Sequence, residues 1–193
     1  VKELETIAGQ KADGDMRIVF KGVSHTAKVF VDDKFVCEHY NAFTQFEAVV
    51  KNLPSGVHKL SVLVDNSFSE ASALHVENDY QSYGGISRGV MLEQLPKHYI
   101  KQLHFTPACK DDTWYAQLEL VIASLDGKPW KGKVSVSLKG CDDVNENVLY
   151  TQSCSTGAGE LVLKSDLIAC ENAKPWASEH PTLYMFGQLF KHY

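Results

Sequence analysis

The sequence predicts an all-β protein, and three observations support this fold class. Apolar side chains recur at every second position in residues 27–31, 118–122 and 134–138, which is typical of strands with one buried face. Turn-forming residues separate these runs, and no stretch of about ten residues carries the 3.6-residue apolar stripe of a helix. The segment 166–170 is expected to form a single helical turn. This pattern is typical of sandwiches and jelly rolls.

The turn residues predict how neighbouring strands connect. Residues 32–33, Asp-Asp, separate two alternating runs as in a hairpin, and the Pro-Ser-Gly segment 54–56 precedes another run. The Asp-Gly pair at 126–127 is the strongest short hairpin signal in the chain. We therefore expect hairpins at residues 32–33 and 126–127.

A break at Pro96 divides the chain into two predicted domains. Proline is poorly tolerated inside a central strand, and new strand runs begin after it, at residues 99–105 and 113–123. We therefore predict one β domain over residues 1–95 and a second over residues 96–193.

Length and charge exclude several functions. The chain has 193 residues and a net charge of −5, so it lacks the basic surplus of a general nucleic-acid or anionic-membrane binder. A (β/α)₈ barrel takes about 250 residues, so this chain cannot contain one.

Cysteine usage and the amino terminus bear on the compartment. The five cysteines form no C-x-x-C pair, which indicates reduced thiols in a cytoplasmic protein, and the eight histidines form no metal-binding pattern. The opening residues do not predict a signal peptide, and no apolar run approaches the ~18 residues that cross a membrane. Because the chain opens at Val1 without a methionine, we expect a piece of a longer protein.

The first candidate site is the segment 78–90. Its paired glycines, 84–85, permit positive φ or close backbone approach. One interpretation is a loop-to-strand turn in which Arg88 pairs with a carboxylate. The other is a ligand-facing loop with Asp79, Tyr80 and Tyr83 at its tip, because carboxylates accept hydrogen bonds from sugar hydroxyls and aromatic rings stack on apolar sugar faces.

Two further segments carry less chemistry. Ser24 and His25 have the residue types of a nucleophile and a base, but strand neighbours point to opposite faces, so we reject a catalytic pair. Residues 174–184 are expected to form a proline-rich surface loop that enters a late strand, with Trp176 packed on the core.

The segments resemble, in order and spacing, the non-catalytic N-terminal part of family 2 glycoside hydrolases, the β-galactosidase and β-glucuronidase family. A strand pattern of the family is similar to RIVFKGVSHTAKVFVDDKFVCEH, residues 17–39. The family signature Y-G-G-I-x-R-x-V-x-L-E is similar to YGGISRGVMLE, residues 83–93, and its W-S-P-E-x-P-x-L-Y loop is similar to WASEHPTLY, residues 176–184. The resemblance covers most of the chain.

This resemblance implies a jelly-roll sugar-binding-type β-sandwich followed by an immunoglobulin-like β-sandwich. In the family both support a (β/α)₈ barrel whose two glutamates hydrolyse the glycosidic bond with retention. The parent would be a cytoplasmic β-glycosidase that releases terminal β-linked glucuronate or galactose, and we expect it to be a homo-oligomer. Its partners would be that sugar and its own barrel, with no cofactor, no metal, no nucleic acid and no membrane.

The chain itself is expected to be inactive, because it ends at Tyr193 before any barrel. No catalytic residue is therefore assigned, and Glu47, Glu77 and Glu160 are not candidates for that role. The resemblance also implies that an aspartate four positions before the aromatic residue of the signature reaches into the active site and contacts the terminal sugar. Counting back from Tyr83, this residue is Asp79. The frame that aims it would consist of Tyr83, Gly84, Gly85, Ile86 and Arg88.

The chain also departs from the family pattern. The family's Asn-Gly turn is Asp-Asp at residues 32–33, and its Gly-Gly-Tyr-x-Pro-Phe segment has lost its glycines and proline at residues 41–46. Both ends look clipped, which leaves sheet edges unpaired and predicts self-association. The alternative function is a stand-alone carbohydrate-binding or adhesion module with an aromatic platform of its own.

Overall fold

The fold consists of strands and turns. A computed structural model describes residues 2–5, 14–67, 83–141, 146–156, 159–171 and 173–192. Within these ranges it contains no helix, which confirms the predicted all-β class. Contacts between Cα atoms divide the chain into two compact units, Val1–Pro96 and Lys97–Tyr193.

The first unit is an antiparallel sandwich. Its strands are β1 (Lys2–Glu5), β2 (Gly14–Phe20), β3 (Val23–Ser24), β4 (Thr26–Val31), β5 (Lys34–Tyr40), β6 (Phe46–Leu53), β7 (Val57–Asp65), β8 (Gly85–Ile86) and β9 (Val90–Leu95). They form a sheet in the order β1-β7-β4-β5, a second in the order β6-β2-β9, and a short pair, β3-β8. The two larger sheets share one core, which contains Ile18 and Phe20 from β2, Val29 from β4 and Leu60 from β7.

The second unit is also a two-sheet sandwich. Its strands are β10 (His98–Lys110), β11 (Thr113–Ser124), β12 (Trp130–Gly140), β13 (Asn147–Thr156), β14 (Glu160–Lys164), β15 (Ile168–Ala169) and β16 (Tyr184–His192). One sheet has the order β10-β11-β14, with β15 also on β11, and the other has the order β13-β12-β16. Leu118, Leu120 and Ile122 of β11 face Val134 and Val136 of β12 in its core, so the predicted alternation is confirmed.

Two hairpins close over aspartate pairs. Asp32 and Asp33 have φ of +49° and +62° between β4 and β5, which is the type I′ geometry of a two-residue hairpin loop and confirms that prediction. Asp111 and Asp112, with φ of +48° and +59°, make the same turn between β10 and β11. Aspartate tolerates this left-handed region better than most residues, because its short side chain bonds to nearby backbone.

Two local predictions in the second unit are wrong. The Asp126-Gly127 segment does turn, but it links β11 to β12, which lie in different sheets, so it is not a hairpin. The Asp126 carboxylate accepts bonds from Lys128 N and Ser124 Oγ, both at 3.0 Å, and these local bonds close the turn without strand pairing. Residues 166–170 contain β15 and no helical turn, because their backbone pairs with the edge of β11.

Candidate functional site

In the first unit, the strand motif (residues 17–39) and the glycine signature (residues 83–93) pair in one antiparallel ladder with a single short interruption. β2 pairs with β9 from Asp15 opposite Leu95 to Phe20 opposite Val90. The pairing resumes beyond a short interruption, where β3 meets β8 with Val23 opposite Ile86. The strand motif and the glycine signature are therefore two halves of one structure.

Backbone hydrogen bonds bridge the interruption in this ladder. Lys21 N donates to Gly89 O at 3.1 Å, and the amides of Ser87 and Arg88 both donate to Gly22 O, at 3.1 and 3.3 Å. A Cβ atom at Gly22 would lie 3.1 Å from Cδ of Arg88, so the glycine lets the arginine stem cross closely over the backbone. This crossing fixes the course of the signature loop.

Each of the paired glycines has its own geometric reason. Gly85 has a φ of +116°, a conformation that L side chains rarely adopt. Gly84 packs against the amide of Asn66, where a Cβ atom would lie only 2.7 Å from Asn66 Cγ. The backbone therefore requires glycine at position 85, whereas a Cβ atom at position 84 would fit only if the Asn66 side chain shifted.

The signature residues around the glycines point towards solvent. Tyr83 is 75% exposed and Ile86 is 42% exposed. Arg88 donates from Nη1 to the carbonyl oxygen of Phe43 at 3.5 Å, and no carboxylate partner of Arg88 occurs in the described ranges. Within the described ranges Arg88 therefore bonds to the loop at residues 41–46, and its expected pairing with a carboxylate stays a prediction.

That loop has lost the glycines of the family pattern and uses asparagine in their place. Asn41 has a φ of +125°, and its Oδ1 accepts a 2.8 Å bond from Phe43 N. This Asx turn presents Phe43, which is 71% exposed, beside Arg88. The two loops that Arg88 joins thus carry three exposed apolar side chains, those of Tyr83, Phe43 and Ile86.

An ion triad ties the ends of the two motifs together. Arg17 Nε donates to Glu93 Oε2 at 2.8 Å, and its Nη1 lies 3.3 Å from Glu47 Oε2. Burial opposes the charge on Arg17, but the bonds and charges of Glu93 and Glu47 outweigh it and raise the pKa of the guanidinium. The first residue of the strand motif is thus clamped by the last residue of the signature.

Asp79 lies outside the described residues, so its position stays a prediction, as does the role of the frame in aiming it. Glu77 lies outside them as well. Glu47 is engaged by Arg17, and Glu160 lies 2.6 Å from Lys101 Nζ.

Ser24 and His25 are both buried and form no mutual hydrogen bond among those described. The backbone of His25 holds two neighbouring segments, since its N donates to Asp65 O and its O accepts from Asn41 N. Burial lowers the pKa of the His25 imidazole, whose Nδ1 has no hydrogen-bond partner. The pair is a structural element beside the signature.

The third motif lies in the second unit and borders a cavity of about 320 Å³. Its loop enters β16 at Tyr184, as predicted, but Trp176 is 62% exposed and does not pack on the core. Reciprocal backbone bonds between Ala177 and His180 hold the loop at the surface. The cavity is lined by aromatic side chains that include Trp114, Tyr115, Trp176 and Tyr184.

Within the described ranges, no three or more His, Cys, Asp or Glu side chains are grouped so as to hold a metal ion. No helix with the length and apolar character to cross a membrane occurs in the same ranges.

Comparison with known families assigns both units. The sequence model described as "Glycosyl hydrolases family 2, sugar binding domain" matches residues 2–96, and the one described as "Glycosyl hydrolases family 2" matches residues 98–187. The chain therefore belongs to family 2 of the glycosyl hydrolases. The predicted order of a jelly-roll sandwich and an immunoglobulin-like sandwich is confirmed.

Individual relatives agree with this assignment. The crystal structure of a GH2 beta-galacturonidase from Eisenbergiella tayi is 40% identical with a TM-score of 0.82, over 99% of this chain and 32% of that chain. A beta-galactosidase of Thermoanaerobacter pseudethanolicus is 27% identical over 86% of this chain and 22% of its own length. A beta-glucuronidase of Streptococcus agalactiae is 28% identical over 57% of this chain and 22% of its own length. The chain spans about a fifth of the length of the curated relatives it matches.

Proposed function

We propose that this chain is the non-catalytic N-terminal region of a retaining β-glycosidase, with residues 1–95 and 96–193 as its two supporting domains. The observation that carries the proposal is the match of both units to family 2, in order, by a chain that spans about a fifth of its curated relatives. Catalysis would reside in a (β/α)₈ barrel of the parent, because retaining carboxylates must stand ~5–5.5 Å apart across the bond and come from barrel strands.

The proposed substrate is a terminal β-linked hexuronide or galactoside, with β-galacturonide first. The 40% identical relative is a beta-galacturonidase, and the curated relatives are named beta-galactosidase and beta-glucuronidase. A galacturonide has the C4 configuration of a galactoside and the carboxylate of a glucuronide, so it shares one recognition group with each of these two substrates.

The described signature has a proposed role in substrate binding. Gly84 and Gly85 fix the loop, and Arg88 joins it to Phe43. We assign this frame the task of holding Asp79 towards the terminal sugar, because a carboxylate accepts hydrogen bonds from sugar hydroxyls.

The test is hydrolysis of aryl β-galacturonide, β-glucuronide and β-galactoside by the full-length parent and by the 193-residue chain. The parent should cleave one of the three, the galacturonide fastest, and the chain none. In the parent, Asp79→Asn should lower kcat/KM about tenfold or more while Asp112→Asn, in the β10–β11 turn, leaves it unchanged. Turnover by the chain alone would refute the domain assignment.

The second candidate function is a stand-alone carbohydrate-binding or adhesion module. The observation in its favour is the aromatic cavity of the second unit, with the exposed ring of Trp176 at its border. This function predicts saturable binding of neutral sugars by the chain and its loss in Trp176→Ala. Calorimetry with galactose and glucose distinguishes the two functions, since the leading proposal expects no such binding.

We also propose a cytoplasmic, homo-oligomeric parent. Five free cysteine thiols support the compartment. Cell fractionation and sedimentation of the parent test the two statements, and sedimentation of the chain at high concentration tests its predicted self-association.

A further inference from the structure

We propose that the outer face of the sheet β13-β12-β16 binds a polyanionic uronate chain through Lys131, Lys133 and Lys191. The choice of uronate among polyanions rests on the proposed function. The surface is called the lysine face below, and it also includes Ser153 and Ser155.

Strand alternation places these residues on one surface. Val134 and Val136 of β12 are fully buried in the core, so Lys131 and Lys133 point to the opposite side of the sheet. On β16, Lys191 is directly opposite Lys133. The three ammonium groups therefore project from neighbouring positions on two strands.

The pairing of Lys133 with Lys191 is electrostatically unfavourable, because like charges directly opposite each other on adjacent strands repel. No ion pair joins Lys131, Lys133 or Lys191 to a carboxylate in the part of the chain that the structure describes. The carboxylate of Glu146 does lie on this face, where it contacts Ser137 Oγ. Ser137 is four residues from Lys133, which is about 13 Å along the strand.

On the other sheet of the same unit, two lysines are paired with carboxylates. On β11 and β14, Glu119 and Lys164 are opposite each other with Oε2 and Nζ 2.6 Å apart, and Lys101 Nζ lies 2.6 Å from Glu160. Lys101 and Lys164 are thus paired with carboxylates, whereas the lysine face brings together three lysines for which the described residues provide no ion pair, in a chain whose net charge is −5. An anionic partner is complementary to these three lysines.

Hydroxyl groups beside the lysines select for a saccharide. Ser155 is opposite Lys131 and Ser153 is opposite Lys133 on β13, and both serines are exposed. Ammonium groups pair with uronate carboxylates, while serine hydroxyls can donate to and accept from sugar hydroxyls. Among the described residues of the lysine face no side chain is aromatic, so none of them offers a ring on which a nucleobase would stack, which disfavours single-stranded nucleic acid.

The experiment is titration of the 193-residue chain with polygalacturonate, with neutral β-galactan as the comparison ligand. The chain should bind polygalacturonate and not galactan, and binding should weaken as salt rises. Lys133→Ser with Lys191→Ser should weaken binding about tenfold or more. The matched control, Lys101→Ser with Lys164→Ser, removes the same charge from the other sheet and should leave binding within about twofold.

A second measurement guards against a variant that fails to fold. Lys191→Ser alone should raise the melting temperature of the free chain, because it removes the repulsion with Lys133. Three results would overturn the inference. The chain could bind galactan as tightly as polygalacturonate, the lysine-face variant could bind polygalacturonate as tightly as the unaltered chain, or single-stranded DNA could bind more tightly than polygalacturonate. Turnover of aryl glycosides by the parent is measured separately, so failure of the proposed function and failure of the lysine face are distinguishable.

Discussion

Nδ1 of His58 lies 2.8 Å from Oδ2 of Asp32, and the other ring nitrogen, Nε2, lies 2.7 Å from the carbonyl oxygen of Pro54. Both partners are acceptors, so an imidazolium that donates from both nitrogens satisfies the site. His58 is buried, and it thus ties the β4–β5 turn to the β6–β7 connection. The bond to Asp32 raises the pKa of His58, and the same bond lowers the pKa of Asp32.

Stability should therefore depend on pH through this pair. The raised pKa of His58 contributes stability that is fully present below its ordinary value of 6.5 and is lost as pH rises through the higher folded value. The lowered pKa of Asp32 contributes stability above 3.8 that is lost as pH falls through the lower folded value. Melting temperatures should be highest between these limits, and the alkaline decline should disappear in His58→Gln. Unchanged alkaline behaviour in that variant contradicts the assignment.

Glycine is required at position 85 and not at position 89. Gly85→Ala should cost about 1–3 kcal/mol of unfolding free energy, because φ at this position is +116°. Gly84→Ala should also destabilise, since its Cβ would meet Asn66 at 2.7 Å. Gly89→Ala is the matched control, as a Cβ there has nothing within 4 Å. Denaturant unfolding measures all three, and equal losses at 85 and 89 would count against the geometric explanation.

The Arg17 triad should contribute more than an ordinary surface ion pair. Arg17→Met leaves Glu47 and Glu93 facing each other without their shared cation, and should cost about 1–3 kcal/mol. Lys28→Met is the control, because Lys28 and Glu38 are well exposed and 3.7 Å apart, and should cost about 0–1 kcal/mol. A double-mutant cycle of Arg17→Met with Glu93→Gln measures the coupling, and a value near zero would disprove the clamp.

The β10–β11 turn can be improved. Asp112→Gly should stabilise the chain by up to about 1 kcal/mol, because Asp-Gly fits a type I′ turn better than Asp-Asp. Asp126→Gly should have the opposite effect, since that carboxylate accepts two bonds at 3.0 Å. Thermal unfolding of the two variants tests the contrast, which fails if both shift in the same direction.

The sequence predicted those features that local chemistry controls. Ile122 and Val29 follow strand alternation because a strand at the surface of a core buries every second side chain. The turn at Asp32 is likewise closed by residues within two positions of it. The helical turn predicted at Ile168 is wrong because the strand partner of this residue, on β11, lies some fifty residues earlier in the chain, where no local pattern reveals it.

In the candidate site, too, local features could be predicted from the sequence and long-range contacts could not. The paired glycines of the signature were visible in the sequence, since a double glycine marks unusual backbone. The clamp between Arg17 and Glu93 and the contact of Gly84 with Asn66 depend on long-range register, which no local pattern contains. The exposure of Trp176 follows from a turn in its own loop that the prolines alone did not predict.

The ladder between the two motifs also orders the events of folding. Arg17 and Glu93 are 76 positions apart, whereas the β4–β5 and β10–β11 hairpins close over two residues each. The entropic cost of closure rises with loop length, and non-local strand pairing is slow. We therefore expect the hairpins to form early and the glycine frame to form last. On a ribosome that frame cannot close until Leu95 has emerged, so the surface that we propose to face the sugar is the final part of the first unit to acquire its shape.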